Sequence, residues 1–173
     1  MNNCLIYGAG GHARVIADLL RAQGSKPLAF IDDNATATIL DGIPVQGYDT
    51  AAFPGATIVI GIGNNEIRRR IASALQHEPA VLIHPTAVVA ADVQPGAGTI
   101  ILANAVVQTG ARIGKHVIIN AGVCVDHDAV IEDYVHLYPQ VYIGGAAHVK
   151  AGLTLAPGTR IARNTLVDGS TAG

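Results

Sequence analysis

The stretch from residue 99 to residue 131 reads TIILANAVVQTGARIGKHVIINAGVCVDHDAVI. Within it an aliphatic residue returns every six positions, at Ile101, Val107, Ile113, Ile119, Val125 and Ile131. The register extends upstream through Ile83, Val89 and Pro95, and downstream through Leu137, Ile143, Val149, Leu155, Ile161 and Val167. Fourteen of these fifteen positions are Ile, Val or Leu. Four residues after each comes a small or β-branched residue, from Ala87, Val93 and Thr99 through Val123, Ala129 and Val135 to Thr165 and Thr171, with Leu153 as the break. A period of six suits neither an α-helix nor a simple alternating strand. It suits a short strand and a tight corner, repeated so that inward aliphatics stack in columns. Gly96, Gly98, Gly110, Gly114 and Gly122 supply the backbone freedom that corners need. Three such hexads close one triangular coil, so the segment predicts about five coils stacked at the strand spacing of about 4.8 Å. Residues 81–173 are therefore expected to form a parallel β-helix.

The composition agrees with a folded, unusual core. Half of the 173 residues are hydrophobic, aromatics are scarce and Trp is absent. Only 14% of residues are charged and the formal net charge is −2, which leaves no footprint for nucleic acid or an anionic membrane surface. The longest apolar runs, such as residues 57–62, fall well short of the roughly 20 residues that span a bilayer, so no membrane insertion is expected. Two cysteines far apart, Cys4 and Cys124, and a start without a basic, apolar leader point to the cytoplasm.

Residues 1–80 have a different organisation. Cys4-Leu5-Ile6-Tyr7 reads as a strand, Gly8-Ala9-Gly10-Gly11-His12 as a glycine-rich turn, and the run through Val15, Ile16, Leu19 and Leu20 as an amphipathic helix. Such a turn lets backbone N–H groups at a helix N-terminus approach a phosphate, although it also serves merely to pack helix on strand. A second strand, residues 28–31, ends in Asp32-Asp33, where a mononucleotide fold places an acidic residue against ribose or base. A third, residues 57–62, ends in Gly63-Asn64-Asn65-Glu66, which can cap a helix over residues 67–75. These strand ends are expected to converge on one crevice of a small Rossmann-like domain. The domain is too short for a full dinucleotide fold, which favours a UDP-type mononucleotide over NAD.

The hexad pattern resembles the hexapeptide-repeat acyltransferases. The motifs Tyr7-Gly8-Ala9-Gly10-Gly11-His12, Ile31-Asp32-Asp33, Ile62-Gly63-Asn64-Asn65-Glu66-Ile67-Arg68, Ile83-His84-Pro85 and Val125-Asp126-His127-Asp128 occur in the order seen in the sialic acid O-acetyltransferase-like family. That family includes bacterial N-acetyltransferases acting on UDP-4-amino-4,6-dideoxy sugars. The resemblance implies a left-handed coil, a homotrimer with active sites between subunits, acetyl-CoA as acyl donor and a UDP-amino sugar held by the front domain. It places substrate contacts at Gly8, Gly10, Gly11, His12, Asp32, Asp33, Gly63 and Asn64. Catalytic positions carry over to Asn120, His127, Asp128, His136 and Gly145. The chain stops at Asp168-Gly169-Ser170-Thr171-Ala172-Gly173, about a coil before the Gly-x-Pro-Ala-type tail of such relatives.

The residues carry part of this independently. His127 lies two places after inward Val125, so its side chain leaves the coil, and an imidazole beside Asp128 can take a proton from an attacking amine or hydroxyl. Gly145 stacks one coil beyond it and would let a thioester approach while offering an N–H to the oxyanion, or else is a plain corner glycine. His136 is half a coil from His127, so a site using both suggests a subunit boundary. No two of His84, His116, His127, His136 and His148 fall one coil apart, so no metal is expected. Outward Val106, Ile118 and Val130 would leave apolar surface for a trimer to cover. O-acetylation of a sialic acid, or a non-catalytic scaffold that binds a nucleotide sugar, remain the alternatives.

Overall fold

The structure is a computed structural model that describes residues 3–169. The expectations that touch Met1, Asn2 and Ser170–Gly173, Thr171 of the second series among them, lie outside the described residues. The chain divides into two compact units, Met1–Ala80 and Val81–Gly173.

The first unit is an open sheet with two helices. In chain order it contains β1 (Cys4–Tyr7), α1 (Gly11–Ala22), β2 (Phe30–Ile31), β3 (Ile39–Leu40), β4 (Ile43–Gln46), β5 (Thr57–Ile60), α2 (Asn65–Ala74) and β6 (Glu78–Pro79). The strands lie in the order β3-β4-β2-β1-β5-β6. All neighbouring pairs are parallel except the β3/β4 hairpin. The central strands β1 and β5 are apolar without alternation because both faces of a parallel sheet are covered. Leu5 and Ile6 are consecutive, point to opposite faces, and are both buried. Helix α1 buries Ala13, Ile16, Ala17, Leu19 and Leu20, whereas Val15 is 45% exposed and does not belong to the apolar stripe. A Cβ on Gly61 would stand 2.8 Å from the Cα of Ala13, so that glycine is required by close packing at α1. The second and third strands are shorter than the sequence suggested, and α2 begins at Asn65 in place of Ile67.

The second unit is a parallel β-solenoid. Its first face carries Leu82–Ile83, Ile100–Ile101, Ile118–Ile119, His136–Leu137 and Thr154–Leu155. The second carries Val88–Val89, Val106–Val107, Cys124–Val125, Tyr142–Ile143 and Arg160–Ile161. The third carries Arg112–Ile113, Val130–Ile131, His148–Val149 and Leu166–Val167. Every pairing is parallel with a shift of one eighteen-residue coil, as in Val107↔Val125 and Ile131↔Val149. Two inward columns fill the centre: the aliphatic series at the strand ends and, two residues before each, the small or β-branched series, with Val117, Val123, Ala129 and Val135 all inaccessible to solvent.

Three expectations change. The hexad at Pro95 forms no strand, which is why the third face has one strand fewer; proline fixes φ and has no N–H to give to a ladder. Gly98, Gly110 and Gly122 do adopt left-handed φ, but Gly96 and Gly114 do not; a Cβ on Gly96 would stand 2.5 Å from the backbone of Gly114, so crowding between coils explains these two. Ile118 points outward yet is fully buried within the single chain, so it leaves no apolar surface for a neighbouring subunit.

Truncating an inward residue of the central coils removes contacts that the stacked coils above and below cannot replace. Ile119→Ala should lower the unfolding free energy by about 2–5 kcal/mol, measured by chemical denaturation, while outward, half-buried Val106→Ala should cost less than about 1 kcal/mol.

Candidate functional site

Polar side chains cluster in both units. In the first unit a cavity of about 390 Å³ opens at the carboxyl ends of β1, β2 and β5, where Tyr7, Gly8, Asp32, Asp33 and Ile62 meet Arg70 of α2. Asp32 holds the glycine turn: its carboxylate accepts the N–H of Ala9 at 3.1 Å and the N–H of Asn34 at 3.0 Å. Asp33 accepts the Tyr7 hydroxyl and, at 2.7 Å, the N–H of Tyr48. These bonds hold the Asp33 carboxyl below the usual carboxylate range. Burial, and then the bond to Asp33, push the Tyr7 hydroxyl up to about 12. His77 steadies the far wall. Its Nε2 bonds the Ala52 carbonyl at 3.1 Å, which puts the proton there and leaves Nδ1 to accept the Tyr48 hydroxyl at 3.0 Å.

Of the anticipated contacts, Gly8, Asp32 and Asp33 line this cavity; Gly10, Gly11, His12, Gly63 and Asn64 do not. Gly8 has a φ of +109°, which favours glycine. No protein atom lies within 4 Å of where a Cβ on Gly10 or Gly11 would stand, so packing does not require those two glycines. Asn64 is spent as a helix cap, its side chain accepting the N–H of Ile67 at 3.0 Å. Sequence reasoning gave no role to Tyr7, Tyr48, Arg68 and Arg70. Arg68 is 1% exposed and donates to the carbonyls of Ile62 and Gly63, each at 3.1 Å, and to Asn65 at 2.7 Å. A buried guanidinium thus fixes the turn that follows β5. Its signal was the arginine inside an otherwise amphipathic helix pattern, indistinguishable there from a solvated residue.

In the solenoid, His127 follows the second-face strand Cys124–Val125 and its side chain is 48% exposed. Nδ1 lies 2.8 Å from Asp128 Oδ2. A carboxylate can only accept, so the proton sits on Nδ1 and Nε2 is left as the basic atom. That atom faces Gly145: a Cβ there would stand 2.9 Å from Nε2 and 3.0 Å from Cε1. The left-handed residue of this corner is Ala146, at φ +56°, and not Gly145. What the missing side chain of Gly145 provides is room for the imidazole ring, with which a Cβ would collide.

Asn120 and His136 form a separate group on the first face. Asn120 Nδ2 donates to His136 Nε2 at 2.9 Å and to the Leu137 carbonyl at 2.8 Å. His136 is 5% exposed and stacks on Tyr138 with ring centroids 4.3 Å apart. Within one chain His136 thus belongs to the first-face strand, and His127 to the corner after the second. Among the described residues, no group of three His, Cys, Asp or Glu is arranged to hold a metal ion, and no helix is long and apolar enough to cross a membrane.

Comparison with known proteins identifies both units. The profile of the PglD N-terminal domain matches residues 3–75. The UDP-N-acetylbacillosamine N-acetyltransferase of Bacillus subtilis (strain 168) is 35% identical over 113 residues, which cover 60% of this chain and only 52%, about half, of that protein. A variant of perosamine N-acetyltransferase from Caulobacter crescentus, solved with CoA and GDP-perosamine, shares 31% identity with a TM-score of 0.74 over 96% of this chain and 85% of its own. The acetyltransferase domain of PglB from Neisseria gonorrhoeae FA1090, solved with acetyl coenzyme A, shares 30% identity with a TM-score of 0.73 over 100% of this chain and 99% of its own. The chain belongs to the sugar N-acetyltransferases of the hexapeptide-repeat family. The solenoid carries the exposed imidazole and the front unit carries the carboxylate-lined cavity.

Because the Tyr7 hydroxyl is held protonated in the folded state, its contribution to stability is complete below pH about 10 and is lost as pH rises towards about 12. Unfolding midpoints of the wild type measured from pH 8 to pH 12 should therefore fall more steeply than those of Tyr7→Phe. Equal alkaline slopes would show that the Tyr7–Asp33 bond does not form.

Proposed function

We propose that this protein transfers the acetyl group of acetyl-CoA to the amino nitrogen of a nucleotide-linked 4-amino-4,6-dideoxy sugar, with uridine diphosphate as the nucleotide. The observation that carries the reading is the bare Gly145 directly over the Nε2 of a carboxylate-oriented His127, in a chain of this family. His127 Nε2 accepts the amine proton as the nitrogen bonds to the thioester carbonyl. The Asp128 carboxylate holds the tautomer and steadies the imidazolium. The C–S bond then breaks and the sulfur takes the proton back from the imidazolium, so that coenzyme A leaves as its thiol; no covalent acyl-enzyme is required, because Cys124 has no base paired with it, and burial and then Asp126 raise its thiol above the ordinary range, away from the thiolate. Gly145 contributes chiefly space for the thioester.

The front unit is read as a Rossmann-like mononucleotide domain. Gly10 and Gly11, which packing does not require, leave backbone open to a diphosphate at the start of α1, while Asp32 and Asp33 offer acceptors for ribose or base and Arg70 a cation. The relatives supply the substrate class, one being named for a UDP-sugar and another bound to GDP-perosamine. A left-handed coil and a homotrimer complete the reading. Val106 and Val130 remain partly exposed on outward faces, and separate placement of His136 and His127 favours a site shared between subunits. The use of acetyl-CoA, which a solved relative binds, fits a cytoplasmic enzyme.

A mass-spectrometric screen of acetyl transfer from acetyl-CoA to UDP- and GDP-linked 4-amino sugars and to sialic acids tests the reaction. An alkali-stable amide on a UDP-amino sugar is expected; an alkali-labile ester on a sialic acid would replace this reading. His127→Ala should lower kcat by about 10²- to 10⁴-fold with little change in acetyl-CoA affinity. Asp128→Ala should act in the same direction more mildly, and Gly145→Val should also raise the KM for acetyl-CoA. Near-normal turnover by folded His127→Ala would remove the base assignment. Sedimentation should give a trimer at micromolar concentration.

A further inference from the structure

The corner that carries His127 recurs on successive coils, and its left-handed position is filled differently each time. Gly110, Asp128, Ala146 and Asn164 occupy it in turn, with φ between +56° and +73°. Three of the four carry a side chain, so the backbone conformation alone does not call for glycine at residue 110. What lies against Gly110 is the carboxylate of Asp128. A Cβ on Gly110 would collide with Asp128 Oδ1 and stand 3.3 Å from its Cγ. The other oxygen, Oδ2, is the one that lies 2.8 Å from His127 Nδ1. The glycine is itself held from the preceding coil: its N–H donates to Asp92 Oδ2 at 2.8 Å, and the Thr109 hydroxyl donates to the same oxygen at 2.9 Å. On the other side, the Thr109 carbonyl accepts the N–H of Asp128 at 3.1 Å. The Asp128 side chain is 66% exposed, so packing from outside does not confine it.

We propose that Gly110 is a positioning residue of the transfer site: the space left by its missing side chain is the seat in which the Asp128 carboxylate lies when it orients the His127 ring. The inference rests on the reading of His127 as the base and Asp128 as its partner. The pair then lies between two bare positions, with Gly110 on the preceding coil admitting the carboxylate and Gly145 on the following coil admitting the imidazole. A carboxylate is the far end of a side chain with a soft terminal torsion, so a Cβ at residue 110 would push it aside while the backbone stays in place. A displacement of about 1 Å at such a place can lower turnover by about 10²-fold. Asp92 fixes the seat through a charge-assisted bond to the Gly110 amide.

The test measures kcat and KM for acetyl-CoA in the full chain for Gly110→Ala, Asp128→Ala, the double variant, His127→Ala and Gly158→Ala, with nitrogen NMR of the imidazoles to read the His127 tautomer. Gly158 has the same left-handed backbone, at φ +72°, and no atom of the described residues lies within 4 Å of where its Cβ would stand. Gly158→Ala therefore carries the conformational strain without a collision and should keep wild-type kinetics. Gly110→Ala should lower kcat by about 10- to 10²-fold, leave the KM for acetyl-CoA within about twofold, and move the His127 signals from the Nδ1–H tautomer towards those of Asp128→Ala. With Asp128→Ala in place there is no carboxylate to displace, so adding Gly110→Ala should change kcat by less than about twofold. Wild-type kcat and an unmoved tautomer in folded Gly110→Ala would overturn the seat, as would effects of the two substitutions that simply multiply. An equal loss in Gly158→Ala would overturn it in favour of backbone strain. Active His127→Ala would instead overturn the base reading beneath it, and the tautomer signals alone would then decide the seat. Should Gly110→Ala fail to fold, Gly110→Asn decides, because Asn accepts the left-handed backbone, as at Asn104 and Asn164, and presents the same Cβ. Slower turnover with the tautomer shift in that variant supports the seat, and wild-type behaviour overturns it.

Discussion

The fixed shift of one coil between hydrogen-bonded strands is the constraint on which the solenoid and its chemistry depend. Each strand offers only two paired residues, too few to hold a register alone. The register is set by the two inward columns, because a slip of one residue would exchange the inward and outward positions of every strand. With the shift fixed, residues one coil apart stack directly. Gly145 then falls on His127. A site made this way needs no long-range loop to assemble it.

The corners impose a second rule, which the columns do not reveal. From Gly98 to Asn164 the residue before each inward small residue is left-handed, passing through Asn104, Gly110, His116, Gly122, Asp128, Tyr134, Gln140, Ala146, Gly152 and Gly158. Glycine adopts this conformation freely and Asn or Asp with little strain, whereas other side chains pay roughly 1–2 kcal/mol. Asp128 is therefore well suited to its place on two grounds, since the corner accepts it and its carboxylate orients the imidazole. Ala146 beside Gly145 is the opposite case: a side chain sits in the left-handed position and the glycine stands next to it. Strain of this kind persists where the surrounding stack over-determines the backbone.

The front unit reaches its geometry differently. Its cavity is shaped by side chains that serve the backbone first, with Asp32 holding the glycine turn, Arg68 the turn after β5 and Asp33 joining Tyr7 to the start of the Tyr48 segment. Polar groups held in this way by the backbone are pre-oriented, which is what lowers the ordering cost of binding in a cavity.

The amino-acid sequence by itself determined the solenoid, because a period-six aliphatic column has one economical packing, and it singled out His127 and Gly145, because stacking is simple arithmetic in a register of eighteen. It also marked Gly8, Asp32 and Asp33, since strand ends in a parallel sheet share one edge. It could not decide which polar atoms face a cavity and which are used by neighbouring backbone. Asn64 became a cap, Ile118 became buried, and Gly10 and Gly11 fell outside the lining. Asp126 carried no sequence signal beyond its neighbours, because its partners are the amide of the next residue and the hydroxyl of Tyr142 on the following coil. Only the tertiary structure decided these, since they depend on where donors and acceptors point, and periodicity specifies the face of a residue but not the partner of its polar atoms.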